Sequence, residues 1–269
     1  MNNLTLRIGT ALFGVSVIVG SIFVHPWMFV SVFTLIALLT HVEFIKTSGQ
    51  SIPAASPWRL VLPLLFGLIV IFSINPPFHQ LAEMMYYVPI SILPIVMIIA
   101  LYQKQEDPFR HIALFILGIL YIPVAFGLYM AISDNGNHQW YALGLLCLVW
   151  SSDTFAYFAG RWFGKHKLFE RISPKKTWEG FIGGLLMTIL TGFVLSRFYD
   201  ALTPLEWIGL ATVVCISGAF GDLVESLLKR SSDIKDSGSL LPGHGGFLDR
   251  FDAFLLAVPC SVVYLKLVM

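Results

Sequence analysis

Apolar residues run along this chain in long blocks, and short polar clusters separate them. The blocks fall at roughly 6–24, 27–44, 59–75, 86–102, 110–132, 140–160, 180–197, 206–228 and 250–268. Each approaches the about 20 residues that a helix needs to cross bilayer hydrocarbon, where no water can satisfy a bare backbone. The interruptions are turn-forming: His25-Pro26, Ser51-Ile52-Pro53, Asn75-Pro76-Pro77, Asp107-Pro108, Asp134-Asn135-Gly136 and Thr203-Pro204. The pattern predicts an all-α, polytopic integral membrane protein of nine transmembrane helices. The first block is long, and no small-residue cleavage site follows it before His25-Pro26, so it is expected to be a retained span.

Composition agrees. The 269 residues are 57% hydrophobic and only 12% charged, with a mean hydropathy of +0.78. Soluble domains carry about 25% charged residues, so an ordinary cytosolic enzyme, a disordered chain and a disulfide scaffold are excluded. A net charge of +1 gives no reason to expect a nucleic-acid partner. Cys147, Cys215 and Cys260 lie far apart inside apolar blocks and are expected to be buried membrane residues. Alternating the nine spans puts all but Arg197 and Lys266 of the 17 Lys and Arg residues on one side. Cytoplasmic loops carry the basic excess, so the N-terminus is expected inside and the C-terminus outside.

No internal repeat, low-complexity tract or soluble domain is visible. Residues 1–139, spans one to five, read as a lipid-embedded scaffold whose main ionisable groups are His41 and Glu43. Residues 140–269, spans six to nine with two inner loops, hold most of the polar side chains. The two regions are expected to form one structural domain.

Three constellations carry candidate chemistry. In the sixth span Asp153, Tyr157 and Gly160 lie at i, i+4 and i+7 on one helical face. A carboxylate at a bilayer centre costs roughly 2.5–3.5 kcal/mol, which marks Asp153 as functional unless it is a hydrated interfacial partner of Arg161. In the first inner loop, Ser173 and Pro174 read as an N-cap and first helical residue. Lys175 and Lys176 would then sit beside the positive helix end, an arrangement that an anion would favour. A basic loop touching anionic headgroups would look the same.

The third constellation is the densest. Asp222, Glu225, Ser226 and Lys229 fall at i, i+3, i+4 and i+7 on the eighth span. A Glu225–Lys229 pair is an ordinary helix salt bridge. Asp222, a turn deeper, is expected to lack a partner in the stripe and is the better metal ligand. Arg230, Lys235 and Asp236 follow, then Gly243, His244, Gly245 and Gly246, and finally Asp249, Arg250 and Asp252. The glycines would let the backbone approach an anion, whereas Asp249 and Asp252 could simply complement a helix N-terminus. Hard oxygen ligands without His or Cys clusters suit Mg²⁺ rather than zinc. No Walker A or GxGxxG motif is present. Carboxylates beside basic groups at the inner face point to metal-assisted phosphoryl or nucleotidyl transfer onto a lipid.

The stretch from Ser226 through Lys229-Arg230, Lys235-Asp236, Leu241-Pro242-Gly243-His244-Gly245-Gly246 and Asp249-Arg250-Phe251-Asp252 resembles the signature of the phosphatidate cytidylyltransferases, with no departure. Asp153…Tyr157…Gly160-Arg161 and Ser173-Pro174-Lys175-Lys176-Thr177…Glu179-Gly180 resemble that family too, so the likeness covers roughly 140–269. It implies transfer of CMP from CTP to phosphatidate in phospholipid biosynthesis, a Mg²⁺-dependent site with or without a second cation, and a homodimer in the cell (inner) membrane with its active site on the cytoplasmic side. Asp222 and Asp249 correspond to metal-binding acids. Lys175, Lys176, Lys229, Arg230 and Arg250 would bind phosphates, and Gly243, Gly245 and Gly246 would cradle one. Ser173, Glu179, Lys235, Asp236 and His244 fall in the site without a defined role, and Asp153 and Asp252 would organise its surroundings. A CTP-dependent lipid-alcohol kinase would need the same nucleotide and metal. An ion-coupled transporter would instead use Asp153 and Asp222 as pathway residues, but the charges cluster at one face and no repeat is present.

Overall fold

The computed structural model describes residues 3–48, 58–74, 82–102, 107–132, 138–238, 240 and 245–268. These described residues form ten helices. They are α1 (Asn3–Val24), α2 (Pro26–Ser48), α3 (Trp58–Ile74), α4 (Ala82–Tyr102), α5 (Pro108–Tyr121), α6 (Pro123–Ile132), α7 (His138–Phe163), α8 (Trp178–Leu195), α9 (Pro204–Ser231) and α10 (Leu248–Val268). A hairpin of β1 (Lys167–Phe169) and β2 (Ser173–Thr177) joins α7 to α8.

Every apolar block therefore forms a helix. The fifth is broken at Pro123, whose missing N–H interrupts the ladder between α5 and α6. Among the described residues, six helical segments are long and apolar enough to cross a membrane: Pro26–Ser48, Pro108–Ile132, Gln139–Phe163, Trp178–Leu195, Pro204–Ser231 and Leu248–Val268. The described apolar stretches Ile8–Val24, Leu60–Ile74 and Ser91–Tyr102 are shorter. Outward faces stay apolar, with Phe13, Leu35, Leu120, Leu186 and Val263 all exposed. Such a surface suits lipid and would be costly in water.

Helices α7, α8, α9 and α10 pack in sequence order, and α6 bridges α3 to α10. Where α2, α6 and α10 meet, Phe33, Phe126, Tyr129 and Phe254 are fully buried or nearly so. Ring centroids stand 4.8 Å apart for Phe33–Tyr129 and 5.1 Å for Phe126–Phe254, close enough for favourable aromatic contact. One contiguous apolar core thus runs from α2 to α10 and holds the α9–α10 pair against the N-terminal helices. All three cysteines are free, but only Cys215 is buried; Cys147 is half-buried. Cys260 is exposed, contrary to the expectation of burial, because it lies on the outer face of α10.

Candidate active site

The first inner segment departs from the sequence expectation. Ser173 and Pro174 do not start a helix; they belong to β2, paired antiparallel with β1 through Phe169↔Ser173 and Lys167↔Thr177. Pro174 is tolerated because a two-stranded hairpin has only edges. Thr177 supplies the cap instead, its hydroxyl accepting from the Gly180 N–H at 3.2 Å. Replacing Thr177 by Ala should cost about 0.5–2 kcal/mol, read as a lower unfolding midpoint in detergent, while Thr177→Ser should keep most of it.

The strand conformation separates the two lysines, since neighbouring side chains on a strand point to opposite faces. Lys175 is exposed, whereas Lys176 turns toward α9. Its Nζ lies 2.7 Å from Asp222 Oδ2 and donates to the Ala219 carbonyl at 3.2 Å. Glu179, in the first turn of α8, accepts from the backbone N–H groups of Lys165 at 3.0 Å and His166 at 3.2 Å, with His166 Nδ1 at 2.6 Å. It therefore clamps the end of α7 to the start of α8.

On α9 the polar stripe forms as its spacing requires. Asp222 is not without a partner in it: Ser226 Oγ donates to Asp222 Oδ1 at 3.2 Å. The helical pair Glu225–Lys229 closes at 2.7 Å, and the same Lys229 Nζ reaches Asp249 Oδ1 on α10 at 2.8 Å. Glu225 is completely buried. Asp249 also accepts, through Oδ2, from the Ser237 N–H at 3.1 Å, the Ser237 hydroxyl at 2.9 Å and the Gly246 N–H at 3.0 Å. It thereby closes both ends of the α9–α10 loop onto the first turn of α10.

The structure thus gathers Lys176 with Asp222, and Lys229 with Glu225 and Asp249, at neighbouring ends of α8, α9 and α10. Asp153, Asp222 and Asp252 stand close enough to repel one another electrostatically. Asp252 Oδ1 accepts from the Ala253 N–H at 2.7 Å. Arg161, considered as a partner for Asp153, donates to the Tyr157 hydroxyl at 3.1 Å. Arg230, Lys235, Asp236 and Arg250 are exposed around this rim. Gly245 holds a φ of 82°, which favours glycine, and Gly246 is buried. Gly243 and His244 lie outside the described residues.

Among the described residues, no group of three or more His, Cys, Asp and Glu is arranged as a metal site. The donor chemistry nevertheless fits Mg²⁺. The carboxylates Asp153, Asp222 and Asp252 are hard oxygen donors whose mutual repulsion a cation would relieve. Sequence reasoning missed Glu43 on α2, which accepts from the Leu248 N–H at 2.8 Å. Its signal was a carboxylate in the middle of an apolar span.

Apolar helices long enough to span a bilayer, with carboxylates and lysines gathered at one end, define a helical membrane protein with a polar site among its described residues. The sequence pattern of the cytidylyltransferase family matches residues 5–268, and the chain belongs to that family. The phosphatidate cytidylyltransferase of Staphylococcus aureus (strain COL) is 34% identical over 239 residues, 86% of each chain. That of Staphylococcus haemolyticus (strain JCSC1435) is 43% identical over 157 residues, 58% of this chain. This stretch spans 60% of the length of that relative.

Proposed function

We propose that this protein transfers CMP from CTP to phosphatidate, giving CDP-diacylglycerol and pyrophosphate. The observation that carries the reading is a likeness to phosphatidate cytidylyltransferase over 86% of the chain. The acid–lysine pairs at the ends of α8, α9 and α10 support it, because they lie where a nucleotide and a lipid headgroup could both reach.

An anionic phosphatidate oxygen attacks the α-phosphorus of CTP; the bond to the β-phosphate oxygen breaks and pyrophosphate leaves. The attacking oxygen is already ionised, so no strong general base is required. The protein contributes positioning and charge neutralisation. Lys176 and Lys229, now paired with carboxylates, can turn their ammonium groups toward phosphate oxygens. Exposed Lys175, Arg230 and Arg250 add positive charge at the rim. Of the glycines expected to cradle a phosphate, Gly245 would offer its backbone N–H, whereas the Gly246 N–H is given to Asp249 and Gly243 lies outside the described residues. Asp222, with Asp153 and Asp252 near it, would hold Mg²⁺, and Asp249 would join it by giving up its bond to Lys229; when bound, the ion would neutralise charge on the phosphates. Purified protein given CTP, phosphatidate and Mg²⁺ should form CDP-diacylglycerol with equimolar pyrophosphate. Pyrophosphate release without a lipid-linked product would contradict the reading.

The same proposal includes nine spans, a cytoplasmic N-terminus and a site open to the cytoplasm of the cell membrane. Single cysteines at the exposed positions Glu170 and Ser231, in a cysteine-free background, should react only with reagent admitted to the cytoplasmic side. Labelling of either from outside intact cells would reverse the orientation. It also includes a homodimer, which should return twice the 30.0 kDa chain mass after subtraction of detergent.

A further inference from the structure

Glu43 lies in α2, within the helices that otherwise supply apolar scaffold, and is 2% exposed. Its Oε2 accepts from the Leu248 N–H at 2.8 Å, and it lies 3.4 Å from the Ser237 hydroxyl, whose one proton is shared with the nearer Asp249 Oδ2. These donors sit some two hundred residues away in sequence, at both ends of the α9–α10 loop. Ser237 and the Gly246–Leu248 corner are also where Asp249 is held. The loop is shaped to the carboxylate. A Cβ at Gly238 or at Gly246 would come within 2.8 Å of Glu43 Cδ, so neither position has room for a side chain. One turn further along α2, the Thr47 hydroxyl donates to the Ser237 carbonyl at 3.4 Å.

A buried carboxylate in a span is expensive unless hydrogen-bonded, and Glu43 gains its bonds only if the loop closes onto α2. We infer that Glu43 is a positioning residue for the transfer reaction: from the N-terminal helices it moors the α9–α10 loop and so fixes Asp249 and Lys229 at the site. The inference rests on the proposed cytidylyl transfer for its kinetic consequence, but its structural consequence is independent of the substrates.

The test uses the full chain in lipid vesicles, comparing Glu43→Ala and Glu43→Gln with Thr40→Val. Thr40 is buried on the same helix, and its hydroxyl donates only to the Ile36 carbonyl of its own helix. In Glu43→Ala, amide hydrogen exchange at Ser237, Gly238 and residues 246–250 should quicken by about tenfold, as expected for losing a charge-assisted hydrogen bond. Its kcat should fall about 10–100-fold, as losses of supporting partners at such sites do. KM for CTP should stay within about threefold, because placement of the site changes rather than nucleotide contacts. Glu43→Gln keeps an acceptor oxygen and should hold kcat within about threefold of wild type; Thr40→Val should match wild type in exchange and kcat.

Unchanged exchange in Glu43→Ala, or faster exchange with an unaltered kcat, would overturn the inference. So would an equal kcat loss in Thr40→Val, which would signal general damage to α2. If Glu43→Ala does not fold, Glu43→Asp makes the same comparison, since it keeps the charge but withdraws it by one methylene; wild-type behaviour there would overturn the inference. A wild-type protein that makes no CDP-diacylglycerol would sink the proposed function alone, and the exchange comparison would still decide whether Glu43 moors the loop.

Discussion

Asp222→Asn and Asp249→Asn should each lower CTP turnover by at least ~10²-fold, the usual loss for an electrostatic contact made to a transition state. Asparagine preserves shape and removes the charge. At position 222 the substitution leaves Lys176 Nζ, now 2.7 Å from the carboxylate, without its counter-charge, and weakens any hold on a cation. At position 249 it also places an amide nitrogen opposite either Lys229 or the Ser237 and Gly246 N–H donors. The double variant should be hardly slower than either single one, because groups that act as a unit do not contribute additively. Helical content should persist, since neither carboxylate buries apolar surface. Near-wild-type turnover across a Mg²⁺ titration in folded single variants would remove both residues from the metal assignment.

The largest effect on stability should come from Lys229→Met. Lys229 is the shared partner of Glu225, whose side chain is 0% exposed, and of Asp249, at 11%. Removing the ammonium leaves two carboxylates facing each other where water can barely reach them. Breaking a buried ion pair from one side typically costs 3–5 kcal/mol, so the variant should unfold at markedly lower temperature or denaturant. Adding Glu225→Gln should recover a substantial part of that loss by removing one buried charge, without restoring activity. If Lys229→Met unfolds like wild type, the triad is solvated and contributes little.

Much of this was legible in the sequence because the governing physics is local. Apolar runs bounded by Pro, Asn and Asp specify helices to within about four residues at each end, and the i, i+3, i+4, i+7 spacing placed Asp222, Glu225, Ser226 and Lys229 on one stripe. What failed was also physical. Ser173-Pro174 carries a good helix-start signal, yet the segment is drawn into a hairpin because Thr177, four residues later, caps α8 and Trp178 N–H bonds to the His166 carbonyl. Lys176–Asp222 and Lys229–Asp249 join different elements, and no spacing rule encodes which lysine meets which acid. Glu43 was visible as an intramembrane carboxylate, but its partners lie at the far end of the chain, so only the packed structure reveals what it holds.

The central claim, nucleotidyl rather than phosphoryl transfer onto phosphatidate, is tested most directly by following two labels in one reaction of the purified protein with CTP, phosphatidate and Mg²⁺. Label on the α-phosphate of CTP should enter the lipid, and label on the γ-phosphate should leave as pyrophosphate. Label from the γ-phosphate in the lipid, with CDP as the released product, would contradict the account and identify a lipid kinase.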